Sequence, residues 1–171
     1  TTAPNSVKSG ILGHYITFRM SDKILSNTYA GLLAYGVPKQ KGLVIYNGFD
    51  FERISMLDRK DTIKAKLNIT SRHVIGMVAS FSTGKDYKTY IDAANRVLKA
   101  NRNVTFLCIG SGEYKSYCKF VSADNTSNIL FMGRQLNVEQ IMSICDIGVL
   151  TTNIHVHGEG ISNALLEFSA L

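Results

Sequence analysis

Val74-Ile75-Gly76-Met77-Val78-Ala79 is a short apolar run without alternation, which reads as a strand buried on both faces of a parallel sheet. The segments after it decide the fold class. Lys85 to Ala100 is helical, with Tyr90, Ile91, Ala94, Val97 and Leu98 on one stripe. Val104 to Ile109 is a second strand. Glu113 to Ala123 is a helix with Tyr114, Tyr117, Cys118 and Val121 on one face, and Asn128 to Met132 is a third strand. Val138, Ile141, Met142 and Cys145 mark another helical stripe, Asp146 to Thr151 a fourth strand, and a helix carrying Glu167 closes the chain. Repeated strand–helix units of this length predict an α/β fold with a doubly wound parallel sheet and right-handed crossovers.

Upstream the pattern changes. Lys23 to Asn27 reads as a strand, Thr28 to Tyr35 as a helix broken by Gly36-Val37-Pro38, and Leu43 to Tyr46 as another short strand. Asn47-Gly48 is a turn signal, and residues 58–72 are charged and read as helix or loop. Residues 1–57 read as too small for a domain of their own. Thr1 is not an initiator, and Ala170-Leu171 falls inside or at the end of a helix. The expectation is therefore a parent chain that continues at both ends, with the sheet domain incomplete at its C-terminus.

The totals narrow the function class. Of 171 residues, 45% are apolar and 19% charged, which reads as a soluble globular chain. No run approaches the roughly 20 apolar residues of a membrane span. The net charge of +6 is uneven: residues 1–100 hold 15 Lys/Arg against 7 Asp/Glu, residues 101–171 hold 4 against 6. No basic cluster sits among aromatics, so a solvated basic surface is the better reading and nucleic acid is not expected. Cys108, Cys118 and Cys145 fit no zinc or CxxC spacing and read as small buried hydrophobes of a reducing compartment. Three glycosylation sequons, at Asn68, Asn103 and Asn125, read as chance, since the second lies in a predicted buried strand.

A doubly wound sheet binds ligands beyond the carboxyl ends of its strands, and three loops leave the strands there. Ser80-Phe81-Ser82-Thr83-Gly84-Lys85 combines hydroxyls, a glycine and a lysine before a helix, which suits phosphate, without P-loop spacing. Gly110-Ser111-Gly112-Glu113 lacks the third glycine of a dinucleotide fingerprint, Lys115 standing in its place, and no acid closes the next strand, so nicotinamide and flavin are not expected. The third loop, Thr151 to Gly160, contains His155 and His157, read as polar loop residues rather than metal ligands, and Asp146 before it reads as a turn or cap residue.

That third loop ends in Glu159-Gly160-Ile161-Ser162-Asn163-Ala164-Leu165-Leu166-Glu167. If the helix opens near Gly160, the two carboxylates lie about 12 Å apart along its axis and roughly 80° apart around it. That is too far for one metal ion or a shared proton. It suits an elongated ligand with hydroxyls at both ends and an anionic middle facing the helix N-terminus.

These glutamates resemble the E-x7-E signature of the group 1 retaining glycosyltransferases with the GT-B fold, and four further segments are similar in the family's order. Val44 to Asp50 resembles the entry into the donor-binding domain. Val78-Ala79-Ser80-Phe81 with Lys85-Asp86 resembles the phosphate loop, Ile109 to Gly112 the next glycine turn, and Phe131-Met132-Gly133 the base-side strand end. The similarity covers about residues 20–171. The resemblance implies that residues 1–57 are the tail of another domain plus a hinge, with residues 58–171 as the sheet domain. It implies Glu159 at the donor-sugar hydroxyls, Glu167 at the ribose, and the backbone of Gly160, Ile161, Ser162 and Asn163 at the distal phosphate and sugar. Lys85 would neutralise the departing diphosphate, Gly133 and Arg134 would lie near the base, and Ser80 stands where the family commonly has arginine.

The resemblance implies the donor-binding portion of a retaining, hexosyltransferase-type enzyme, a fragment inactive on its own. Its substrate would be a nucleoside-diphosphate sugar, UDP or GDP being the expected nucleotides, with no cofactor and no bound metal. The acceptor would be a sugar, a lipid-linked molecule or a small molecule. The location expected is cytoplasmic, with peripheral association of the parent protein at the inner membrane face. A sugar-nucleotide epimerase of the same fold and a non-catalytic nucleotide-sugar-binding domain stay open as alternatives. His14 and His73 are not assigned to the acceptor-side histidine of the family.

Overall fold

The computed structural model describes residues 11–156 and 159–171, and the side chains of residues 11–15 lie outside the description. Four strands, β3 (His73–Val78), β4 (Val104–Ile109), β5 (Ile129–Gly133) and β6 (Ile147–Val149), form one parallel sheet in the order β5-β4-β3-β6. Ahead of them a separate two-stranded parallel sheet pairs β1 (Ile24–Ser26) with β2 (Gly42–Val44). The chain steps outward from β3 to β5, then returns across β3 to place β6 on the other side. That reversal is the topological switch point of a doubly wound sheet, where two neighbouring strand ends diverge and leave a crevice.

Two apolar layers cover the sheet. On one face α4 (Tyr87–Ala100) buries Tyr87, Tyr90, Ile91, Ala94 and Leu98 against Met77, Val104, Phe106 and Cys108. On the other, α3 (Lys60–Lys66) and α6 (Val138–Ser143) pack Ile63 and Ile141 against Val74, Leu107 and Ile109. Successive residues of β4 supply opposite layers, as the two-residue period of a strand requires, and all six are buried. The Tyr87 hydroxyl reaches both the Ala79 and Ile109 carbonyls (2.9 and 2.8 Å), and that of Tyr90 reaches Ile75 and Leu107 (2.9 and 3.2 Å). Burial pushes both phenol pKa values up, so these groups stay hydrogen-bond donors.

The last helix, α7 (Asn163–Ala170), packs on β6 and α6. Gly76 and Gly148 are direct neighbours across β3 and β6, and Phe168 lies over both. A β-carbon at Gly148 would stand 2.1 Å from Phe168 Cγ, and one at Gly76 would stand 2.6 Å from Cys145 Sγ. The paired glycines thus lower the sheet surface and let α7 approach it.

The front section holds α1 (Ile11–Met20) and α2 (Tyr29–Ala34), the latter capped by Thr28 Oγ1 accepting from Gly31 N at 2.9 Å. Lys41 Nζ donates to the carbonyls of Phe18, Arg19 and Ser21 (2.8, 3.1 and 2.7 Å). A cation is thereby held at the negative end of the α1 dipole.

Three expectations need correction. The helix expected over Glu113–Ala123 shrinks to α5 (Lys115–Cys118). Asn95 of α4 explains the early end: its side chain donates to Phe120 O (2.8 Å) and accepts from Ser122 N (3.1 Å), satisfying backbone groups a continuing helix would use. Cys118 consequently faces out. Val97, expected on the buried stripe of α4, is 39% exposed. The helix expected from Lys85 begins at Tyr87, because Asp86 caps it through Thr89 N at 3.0 Å.

Among the described residues no helix is long and apolar enough to cross a membrane. Of the sequon positions, Asn125 is buried and donates to Asn95, and Thr105 is buried and receives the Ser71 hydroxyl at 2.8 Å.

Candidate functional site

The cap at Asp86 decides where Lys85 goes. Two residues short of the helix, Lys85 stays in the loop after β3 and forms an antiparallel bridge with Thr152 in the loop after β6. Asp86 N donates to Thr151 O (3.0 Å), Thr151 Oγ1 to Asp86 O (2.7 Å) and Asn153 N to Gly84 O (3.1 Å). These bonds zip the two loops together across the switch point. The zipper aims the Lys85 ammonium at Glu159, and the two form an ion pair at Oε2; Thr152 Oγ1 donates to the same oxygen at 3.2 Å. Both side chains are less than one-fifth exposed, so solvent screens the pair weakly.

Immediately after Glu159 the chain turns into α7. Ser162 is its N-cap, accepting from Leu165 N at 3.4 Å, and Gly160, Ile161 and Asn163 surround the cap. The first-turn N–H groups lack intrahelical partners and the dipole is positive there, so this end favours an anion. Asn163 and Glu167 lie four residues apart on one face of α7. Both are held by the segment between the two sheets. Asn47 Nδ2 donates to Asn163 Oδ1 (2.7 Å) and Ile161 O (3.3 Å), and Arg53 donates to Glu167 Oε1 (3.1 Å) and pairs with Glu139 of α6. The Glu167 hydrogen bond, with Glu139 beside it, raises the Arg53 pKa further against the opposing effect of burial. Its guanidinium also lies over the Phe49 ring, 5.5 Å from the centroid.

The geometry expected of the two glutamates therefore changes. The helix opens at Asn163 rather than near Gly160, so Glu159 is a loop residue and the axial separation of about 12 Å, which assumed one continuous helix, does not apply. One carboxylate belongs to the loop zipper, the other to the Arg53 contact. Asn47-Gly48, read as a turn, lies in chain without regular structure, and the asparagine reaches the mouth of α7.

The remaining expected residues sit at the same edge of the sheet. Ser80 is exposed, its hydroxyl 3.2 Å from that of Ser82. Gly133 ends β5, and its carbonyl accepts from Gly110 N at 2.9 Å. Gly110 allows the β3 and β4 exits to touch: a β-carbon there would lie 1.7 Å from Ala79 O. Arg134 is exposed and lines a cavity of about 540 Å³ with Lys66, Leu136 and Gln140, on the α3–α6 side. Ser80, Gly133 and Arg134 thus share the edge with Lys85 and Glu159, while the Ser80 and Gly133 bonds run to other neighbours and Arg134 lines the cavity.

Sequence reasoning missed Asn27, Asn47, Arg53, Glu139 and Thr152. Asn27, beside β1, stands against Gly160, where a β-carbon would meet its Oδ1 at 3.0 Å, so the front section walls the mouth. Arg53 and Glu139 had no local signal, since Arg53 lies 114 residues from Glu167 and 86 from Glu139. His155 is exposed in a turn closed by Asn153, and His157 lies outside the described residues. The side chain of His14 is likewise outside them, and His73 lies 3.7 Å from Asp146 at the opposite, amino edge of the sheet. Asp146 links β3 to β6 by accepting from Val74 N at 2.8 Å. No group of three His, Cys, Asp or Glu that could hold a metal occurs among the described residues.

The fold resembles that of known proteins. No curated protein sequence is similar enough to match. Solved structures do match. HepE from Anabaena, in complex with UDP and glucose, superimposes with a TM-score of 0.77 at 20% identity, over 93% of this chain and 45% of HepE. S. aureus TarM, a mutant in complex with fondaparinux, alpha-GlcNAc-glycerol and UDP, gives 0.71 at 17%, over 99% of this chain and 33% of TarM. WaaG, a glycosyltransferase involved in lipopolysaccharide biosynthesis, gives 0.69 at 15%, over 95% and 47%. The chain thus spans less than half the length of these structures, and it shares the GT-B glycosyltransferase fold with them. The family model for glycosyl transferases group 1 matches residues 72–171, more than half the chain and the whole four-stranded sheet, and the chain belongs to that family.

Proposed function

We propose that this chain is the donor-binding portion of a retaining glycosyltransferase, taking a sugar from a nucleoside-diphosphate sugar. The observation that carries the reading is the meeting of Lys85, Glu159 and the α7 N-terminus at the switch point. A cation and a helix dipole face one spot where a departing diphosphate would accumulate charge, and catalysis follows from stabilising that charge as it develops. Glu159, whose carboxylate already accepts from Lys85 and Thr152, would exchange the ammonium for donor-sugar hydroxyls while Lys85 turns to the phosphates. Glu167 would receive the ribose. The base would lie toward Gly133 and Arg134, where the β5 exit leaves the sheet.

UDP is the first nucleotide to test, since HepE and TarM hold it and share the fold; GDP is the second. Residues 1–57 would be the end of an acceptor-side unit with its hinge, and residues 58–171 the donor unit. The acceptor is a sugar, lipid-linked or small molecule met by the rest of a longer protein. The charge on the phosphates is met by protein groups, so the reading needs no cofactor. The protein would work in the cytoplasm, its parent docking at the inner membrane face.

Calorimetric titration of the folded chain with UDP, GDP and ADP tests the reading. Saturable binding of UDP or GDP that survives EDTA supports it, and no binding by any of the three overturns it.

A further inference from the structure

Arg53 is a cation supplied from outside the sheet domain's helices to two of their carboxylates. Its guanidinium joins Glu167 of α7 and Glu139 of α6, whose side chains are 16% and 12% exposed. Without it, two poorly solvated like charges would face each other between packed helices, which is unfavourable for both. The contact uses only Oε1 of Glu167. A carboxylate offers about four acceptor sites, so Oε2 is left to accept a ligand hydroxyl. Arg53 is itself anchored by Phe49, which makes an edge contact with Phe51 at 5.3 Å. The same segment holds Asn163, one turn earlier on the same face of α7, through Asn47.

We infer that Arg53 is a positioning residue for the nucleotide: it fixes the Glu167 carboxylate in one orientation, so that Oε2 meets the ribose hydroxyls. The inference rests on the nucleotide-sugar reading above. Arg53 does not touch the nucleotide; it acts through Glu167. A planar guanidinium suits this task, since its fork can serve two carboxylates at once, which a lysine ammonium does with less geometric control.

The test is a comparison of ribonucleotide with hydroxyl-free nucleotide. The full chain is titrated with UDP and with 2′,3′-dideoxy-UDP (or the GDP pair, if GDP is the tighter ligand), as wild type, Arg53→Gln and Arg53→Lys. Wild type should prefer the ribonucleotide by about tenfold or more, the size of hydrogen bonds to a charged group. Arg53→Gln should lose most of that preference while its affinity for the dideoxy compound stays within about twofold. Arg53→Lys should recover part of it. Loss of folding would lower both affinities together, so the ratio separates positioning from general damage. Arg53 is 43% exposed, and Arg53→Met, which keeps the stem over Phe49, replaces the glutamine variant if that one does not fold. Three results overturn the inference. An unchanged ratio in Arg53→Gln or Arg53→Met, or tighter ribonucleotide binding there, removes Arg53 alone. A wild type that binds both compounds equally removes the ribose role of Glu167 as well. A wild type that binds neither UDP nor GDP removes the nucleotide reading itself.

Discussion

Phe168 of α7 rests on Gly148 of β6, its Cγ 2.1 Å from where a β-carbon on that glycine would stand. The contact sets the height of α7 above the sheet, and with it the helix N-terminus and Glu167. Gly148→Ala should lift the helix. Overpacking of this kind typically destabilises by about 1–3 kcal/mol, visible as a lower melting temperature. Nucleotide affinity should fall too, and Gly148→Ala with Phe168→Leu should recover part of both. A variant that melts with wild type would show that α7 is not seated through this contact.

The Lys85–Glu159 pair is mostly removed from solvent, and breaking it strands one charge. Lys85→Ala should destabilise the ligand-free protein more than Lys85→Ala combined with Glu159→Gln, with a coupling above about 0.5 kcal/mol in a double-mutant cycle read by urea unfolding. In binding, the lysine variant should lose at least about tenfold affinity for UDP or GDP, and more at low salt than at high. Additive stability effects would mean that the pair is not formed in solution.

Glu167→Ala should weaken binding of the preferred nucleoside diphosphate by about tenfold, the value of a hydrogen bond accepted by a carboxylate. It should hardly alter binding of the dideoxy compound. Unchanged affinity for the ribonucleotide would remove the ribose assignment.

Alkaline pH should destabilise the fold. Burial, with Asp146 adding to it, pushes the Cys145 thiol up to about 12, and burial also raises the Cys108 thiol. An unfolded thiol titrates near 8.5, so above that pH the unfolded chain releases protons the folded one keeps. The stabilisation is complete below about pH 8.5 and is lost as pH rises toward 12, at up to about 1.4 kcal/mol per pH unit for each thiol. Tyr87 and Tyr90 steepen the loss above pH 10, where unfolded phenols ionise. Cys145→Ala should flatten the profile of melting temperature against pH between 9 and 11. At pH 8, a thiol reagent should label Cys118, the exposed cysteine, well before the other two.

The doubly wound sheet was legible because each of its strands and helices carries its own period. β4 was read to the residue, since a six-residue run with five apolar side chains and only Thr105 polar admits little else. α5 was over-read because nothing near Glu113 shows that Asn95, on another helix, will take over the Phe120 carbonyl and the Ser122 N–H. The site was legible where its residues stand in loops at the carboxyl edge, as Lys85 and Glu159 do. It was illegible where a contact is made between distant segments: Arg53 carries no local pattern, and Asn47 beside a glycine imitates a turn. The same limit applies to Gly76 and Gly148, which weaken two strands when read singly and make sense only once they are neighbours under one ring.

The close approach of Gly110 to Ala79, with Tyr87 bonded to the carbonyls on both sides, makes the rim of the crevice stiff. Backbone there has little freedom to adapt to different ligands. Selectivity must then reside in the side chains that project from a fixed rim, and these can be exchanged without disturbing it. Ser80 is such a position: exposed, with its hydroxyl bonded to that of a neighbouring serine, it leaves room for Ser80→Arg to add a second cation to an unchanged frame. On the reading proposed above, affinity for phosphate would then be a setting, adjustable by single side chains on a rim held by backbone contacts.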